Sequence, residues 1–239
     1  ELLLGEENMS KLAQSKIAIF GIGGVGSYVA EGLARCGIGE FILIDSDDIS
    51  LTNINRQIHA LETTIGQKKT LMMKERILAI NPQAKVTTIE KLYTPESNFF
   101  NWDDDYTYIV DAVDDVKAKI NLIVNANKHN LPIMSSMGTA NKLDPQKFVI
   151  TDIYKTHTCP LARIMRKTLK QQGIKKLKVL YSTEEPFTNY TVNFKENTSK
   201  DNSPASTRKQ PLGSISFVPP IAGLMIAGEI VKDICQINR

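Results

Sequence analysis

Apolar residues fall in short unbroken runs along the first two thirds of the chain, separated by amphipathic stretches. Lys16–Phe20 ("KIAIF"), Phe41–Asp45 ("FILID"), Val86–Ile89, Tyr108–Asp111 and Ile133–Ser135 read as strands. Uninterrupted apolar runs of this length suit parallel strands covered on both faces. A short helix over 5–15 precedes the first strand, and "GSYVAEGLARCGI", Gln67–Ile80 and Val116–Lys128 carry helical patterns. The helix from Gln67 ends at Asn81-Pro82, because proline disfavours helix in the residue before it. Strands alternating with helices predict an α/β fold: a Rossmann-like, doubly wound and mostly parallel sheet.

Beyond Lys147 the pattern changes. "KFVITDI" and "LKVLYS" read as strands flanking a helix from Leu161 to about Gln171. Thr183 to Gln210 has almost no apolar periodicity and is expected to be a mobile loop. "GSISFVPPIAGLMIAGEIVKDI" predicts a strand, a Pro-Pro break and an apolar helix, with Gly223 and Gly228 packed tightly in the core.

Composition narrows the class. With 239 residues, 42% hydrophobic and 23% charged, the chain is neither disordered nor fibrous. Cys36, Cys159 and Cys235 form no CxxC pair, which argues against a disulfide scaffold and a four-cysteine zinc site. The start "ELLLGEENMSKLAQSK" lacks the features of a secretory signal. The apolar stretch Phe217–Val231 carries two prolines and Glu229 and is shorter than the roughly 20 residues of a membrane helix. A soluble cytoplasmic enzyme without a membrane partner is expected.

The net charge of +3 is unevenly spread. Ile153–Thr183 holds eight Lys and Arg residues and no acid, leaving the remainder of the chain at −5. Such a block suits a local contact with a polyanion; a solvated basic face is the alternative.

Gly21, Gly23 and Gly26 fit G-x-G-x-x-G between a strand and a helix, and Asp45 ends the next strand 19 residues later. Glycines there let the backbone turn tightly and approach phosphate oxygens at a helix N-terminus, with the acid on a ribose. This much says only nucleotide or dinucleotide. Asn53, Arg56 and Gln57 follow closely, and Lys69 comes one short segment later. A dehydrogenase does not need that cluster, whereas a triphosphate does, since its charge must be neutralised before the α-phosphorus is attacked. An NAD-dependent oxidoreductase stays open if the cluster is accidental.

The ordered set GxGGxGS, DxDxIxxxNxxRQ and GxxK resembles the adenylate-forming domain of the ubiquitin-activating and thiamine or molybdopterin-biosynthesis adenylyltransferases. That resemblance implies an ATP site over residues 1–150, completed by a basic helix, loop and C-terminal helix over 151–239. Gly21, Gly23, Gly24 and Gly26 would cradle phosphates, and Asp45 would hold the ribose. Asn53, Arg56, Gln57 and Lys69 would face the phosphates. Asp114, in "IVDAVDDV", matches the family's magnesium ligand. Arg56, Lys69 and Asp114 are therefore the candidate catalytic residues. One of Asp111, Asp114 and Asp115 is expected to cap the following helix. The family's arginine that reaches a partner subunit's ATP would precede Glu1.

Over nearly its whole length the chain also resembles the tRNA threonylcarbamoyladenosine dehydratases. The telling segments are "TNINRQIHAL", "SSMGTANKLDP", "DIYKT", "CPLARIMRKTLKQQGI", "YSTEEP" and the C-terminal helix. The resemblance implies a homodimer that uses ATP and Mg²⁺ to activate the carboxylate of threonylcarbamoyladenosine at position 37 of tRNA. The ureido group of the same modification then closes a ring. Intramolecular attack needs no catalytic cysteine, because proximity replaces the nucleophile. Arg163, Arg166, Lys167 and Lys170 would face the tRNA, with Leu161, Ile164, Met165, Thr168 and Leu169 packed on the domain. A monovalent cation near the ATP and a sulfur-transfer protein partner are further expectations. The alternative is an adenylyltransferase for a ubiquitin-like or sulfur-carrier protein, for which Cys159 beside His157 is the tempting acyl acceptor and a packed thiol the plainer reading.

Overall fold

Short apolar runs bounded by glycines and amphipathic helices leave one economical arrangement, a sheet with helices on both faces. The computed structural model describes residues 1–187 and 212–237. Among the described residues seven strands form one sheet: β1 (Lys16–Phe20), β2 (Glu40–Ile44), β3 (Lys85–Ile89), β4 (Tyr108–Asp111), β5 (Ile133–Ser136), β6 (Phe148–Asp152) and β7 (Lys178–Ser182). Their order is β3-β2-β1-β4-β5-β7-β6, and every neighbouring pair is parallel except β6 with β7. Residue 150 lies inside β6, so both stretches of the chain share the sheet.

The helices are α1 (Glu6–Ala13), α2 (Gly26–Arg35), α3 (Lys69–Ile80), α4 (Val116–Lys128), α5 (Pro160–Gln171) and α6 (Val218–Ile234). One face of the sheet carries the core of α2, α3 and α6, with Val29, Leu33, Met73, Ile77, Ile226 and Ile230 fully buried. The other is covered by α4 and α5. There Phe20 meets Tyr93 and Phe100 edge-on, at ring separations of 5.0 and 4.9 Å. Each fully buried Ile or Leu contributes about 2–3 kcal/mol by leaving water.

Three expectations at the C-terminal end need correction. Residues 212–217 form no strand, and Pro219-Pro220 do not break the chain but open α6 at its first turn. The first-turn amides of a helix have no intrahelical partner, so proline costs nothing there and its fixed φ suits the helix. Gly223 is packed so closely that a Cβ would lie 2.4 Å from the Val25 carbonyl, whereas Gly228 faces open space.

The proposed loop 183–210 lies mostly outside the described residues. The described residues on either side of it meet at Asn141. Its carbonyl accepts from Phe187 N–H at 2.8 Å and its Oδ1 from Gly213 N–H at 2.7 Å. No helix among the described residues is long and apolar enough to cross a membrane.

Candidate functional site

In a doubly wound sheet, ligands bind beyond the carboxyl ends of the strands where the chain's winding reverses. Here that point lies between β1 and β4, because β1 leads on to β2 on one side while β4 starts the opposite half. The glycine turn after β1 fills it. Gly21 adopts a φ of +86°, a backbone region that suits glycine. A Cβ on Gly26 would sit 1.8 Å from the Gly21 carbonyl oxygen, so only glycine lets the turn close.

Asp45 follows β2. Its Oδ2 accepts from Ile22 N–H at 2.7 Å and its Oδ1 from Asp47 N–H at 2.8 Å. Burial pushes its pKa up, and nearby Lys69 and the two amides pull against that. The carboxylate thus fixes the turn to the end of β2, with lone pairs left over for ribose hydroxyls.

Arg56 and Gln57 reach the turn from the segment after β2. A Cβ on Gly24 would lie 3.2 Å from Arg56 Cγ, and one on Gly23 would lie 3.9 Å from Gln57 Nε2. Arg56 donates to the Thr52 carbonyl at 2.8 Å. Gln57 is buried, and its Oε1 has no hydrogen-bond partner among the described residues. A buried orphan acceptor is costly unless something else satisfies it. Asn53 is buried, and its side-chain oxygen accepts from Ser50 N–H at 3.1 Å, which shapes the turn that carries Arg56.

Lys69 heads α3, with its Nζ 2.6 Å from Asp47 Oδ2. Nearby His59 is buried with neither ring nitrogen partnered among the described residues, and burial plus the charges of Lys69 and Arg76 lower its pKa to about 4. The ring is therefore neutral near pH 7.

Beyond β4, Asp115 caps α4 by accepting from Ala118 N–H at 2.8 Å, which is the capping role expected of one acid in this run. Asp114 is exposed, and its carboxylate makes no hydrogen bond or ion pair among the described residues. No group of three or more His, Cys, Asp or Glu there could hold a metal by itself. Magnesium asks for less, since it keeps several waters and takes one or two carboxylates together with substrate phosphates. A free Asp114 beside the glycine turn fits that need.

Sequence reasoning missed three residues here. Asp47 lay inside the aspartate run, and nothing in spacing marked it as the partner of Lys69. Lys119 is fully buried against Asp111 and was one lysine on an amphipathic helix. Lys142, after β5, is buried and donates from Nζ to the Glu184 carbonyl at 2.6 Å. Burial lowers its pKa, with Cys159 and Glu184 opposing.

Along α5 the buried positions are Ala162, Met165 and Leu169. Ile164 is 49% exposed, so the packed stripe is narrower than expected and turned toward Ala162. Arg163, Lys167 and Lys170 are exposed and have no ion pair among the described residues. Arg166 departs from the expectation. It folds back, donating to the Thr156 carbonyl at 2.9 Å and to the Thr156 hydroxyl, and so secures the turn before α5. Cys159 is buried at the helix start, away from solvent.

The family model described as "ThiF family" matches residues 2–239. The chain belongs to the ThiF family. It is 43% identical over 239 residues to the tRNA threonylcarbamoyladenosine dehydratase of Bacillus subtilis, covering 99% of this chain and 93% of that protein. The structure of Escherichia coli tRNA N6-threonylcarbamoyladenosine dehydratase in complex with ATP superposes with a TM-score of 0.83. That match is 32% identical and covers 98% of this chain and 91% of the other. A molybdopterin-synthase adenylyltransferase of Haemophilus influenzae is 28% identical over 69% of this chain and 65% of its own length. As a ThiF-family chain it has the α/β, mostly parallel architecture that its strand pattern predicts.

Proposed function

We infer that this ThiF-family chain is an ATP-dependent tRNA threonylcarbamoyladenosine dehydratase. The observation that carries the reading is full-length similarity to enzymes of that name, combined with a crevice that gathers the glycine turn, Asp45, Arg56 and Gln57. ATP would lie over Gly21, Gly23, Gly24 and Gly26, with its ribose toward Asp45 and its phosphates toward Arg56, Gln57 and Lys69. Asn53 supports the turn that carries Arg56. Asp114 would hold Mg²⁺, which supplies positive charge against the phosphates when bound. Arg56 and Lys69 add fixed cations on the same phosphates, so the substrate carboxylate meets a less repulsive phosphorus.

The activated carboxyl group is then attacked by the ureido group of the same nucleoside, which gives up its proton. The ring closes, and the carboxyl oxygen leaves on the phosphate-containing group, so the net change is loss of one water. Holding both reacting groups on one nucleoside supplies the effective concentration that a separate nucleophile would otherwise provide. Burial of Cys159 accords with chemistry that uses no chain thiol. The tRNA would approach along Arg163, Lys167 and Lys170, exposed cations without acidic partners among the described residues. A homodimer in the cytoplasm, with a monovalent cation near the nucleotide, completes the reading. Nucleoside analysis of tRNA treated with the protein and ATP tests it: threonylcarbamoyladenosine should be replaced by a product one water lighter.

A further inference from the structure

Behind the loop that follows β4 lies a fully buried charged group. Asp111, the last residue of β4, and Lys119, on the second turn of α4, are both 0% exposed. Lys119 Nζ donates to Asp111 Oδ1 at 3.0 Å and to the Val113 carbonyl at 3.0 Å. Ser135, in β5, donates to Asp111 Oδ2 at 2.5 Å. We propose that Lys119 is a positioning residue that acts through this buried group to hold the 111–115 loop, and so to aim the Asp114 carboxylate at the metal-bearing side of the nucleotide site. The proposal rests on the reading of Asp114 as the magnesium ligand.

Three observations carry it. First, burial of an ion pair is weak evidence of a stabilising role. Two charges taken fully out of water are often replaceable by apolar side chains with no loss of stability, so stability alone is a poor reason for the pair. Second, both side-chain hydrogen bonds of Lys119 among the described residues end on this loop, and they fix it on both sides of Ala112. Ala112 N–H donates to the Phe20 carbonyl at 2.9 Å, and Val113 N–H to Asp111 Oδ1 at 3.3 Å. Asp115 is committed to capping α4. Asp114 is left as the one acid of the loop whose carboxylate is unengaged among the described residues. Third, the loop lies directly against the glycine turn. A Cβ on Gly21 would come within 2.6 Å of the Ala112 carbonyl, so a shift of the loop would be felt where phosphate binds.

The arrangement is the one expected of groups behind a metal ligand, which set its direction without touching the ion. A buried lysine suits the task because it reaches a carboxylate and a carbonyl at once. Removing it alone would strand the Asp111 charge, so the informative variant neutralises both: Asp111→Asn with Lys119→Met. Asp114→Asn and the parent are the references. Mn²⁺ is titrated into each protein with ATP and free Mn²⁺ is followed by electron paramagnetic resonance. Metal-free AMP binding and thermal unfolding are measured alongside.

The double variant should lose about 10–100-fold in Mn²⁺ affinity, as Asp114→Asn does, while keeping parental AMP affinity. Parental Mn²⁺ affinity in the folded double variant, with Asp114→Asn impaired, overturns the role of Lys119 and leaves Asp114 in place. Parental affinity in both overturns the reading of Asp114 and the inference with it. If AMP and Mn²⁺ affinities fall together, the group supports the fold in general and the specific role fails. Should the double variant not fold, Ser135→Ala removes one hydrogen bond from Asp111 and carries the same test, with an expected loss of about 3–10-fold in Mn²⁺ affinity alone. Unchanged Mn²⁺ affinity there counts against the proposal.

Discussion

Lys69 Nζ lies 2.6 Å from Asp47 Oδ2, so the lysine proposed for the phosphates already carries an ion pair from the segment just past Asp45. The lysine side chain is 7% exposed and the aspartate 62%, which makes Asp47 the partner that can move. A phosphate arriving at Lys69 exchanges one anion for another rather than paying to uncover a bare cation.

Lys69→Ala and Arg56→Ala should each lose one charge-assisted phosphate contact. That is on the order of 2–3 kcal/mol, or ~30–160-fold in ATP-dependent rate. Asp47→Asn should bind ATP at least as well as the parent, because it removes a competitor for Lys69. Steady-state kinetics on the three variants decide this; normal turnover in both alanine variants contradicts the site. A loss of more than about tenfold in Asp47→Asn would instead place Asp47 on the nucleotide itself.

The two sides of this site were unequally legible in the sequence. The strands and the glycine turn come from local rules of periodicity and conformation, and β1 and α4 fall where the pattern places them. The ion pair of Asp47 with Lys69 spans 22 residues, and contact with Gly24 is what brings Arg56 to the turn. Neither leaves a periodic trace. Arg166 shows the same limit. Its position on α5 matches the other cations, but a carbonyl at Thr156, ten residues earlier, is close enough to capture it. Pro219-Pro220 misled for a local reason, since the same pair ends one element and begins another equally well.

Because Arg166 is engaged with Thr156, the cationic face is tested with Lys167 and Lys170. Reversing both to Glu should weaken tRNA binding regardless of sequence and reduce the slope of log affinity against log salt by about one unit per lost phosphate contact. ATP affinity should not change. Binding equal to the parent at matched salt would make the face a solvated surface. Arg166→Glu should differ by lowering thermal stability as well.

His59 sets an acid limit on stability. Its pKa is lowered in the fold to about 4, below the ordinary histidine value of about 6.5, so the unfolded chain binds the extra proton first. Its contribution is therefore fully present above about pH 6.5 and is lost as pH falls toward 4, by on the order of 3 kcal/mol. His59→Leu also removes two buried nitrogens that lack partners among the described residues, so it should not destabilise the protein near pH 7. Unfolding midpoints measured from pH 4.5 to 7 should show a flatter acid limb in this variant; an unchanged limb assigns the effect to other groups.

Cys159→Ser should keep most of the activity, since the thiol is buried at the start of α5. A folded, ATP-binding but inactive variant would favour a covalent route and the activation of a carrier protein.

The most direct measurement of the central claim is mass spectrometry of nucleosides from threonylcarbamoyladenosine-bearing tRNA incubated with the protein and ATP, beside a reaction lacking ATP. The account predicts conversion to a species one water lighter only where ATP is present, and its loss in Lys69→Ala. Unchanged threonylcarbamoyladenosine, with ATP turnover appearing only on addition of a ubiquitin-like or sulfur-carrier protein, would contradict it.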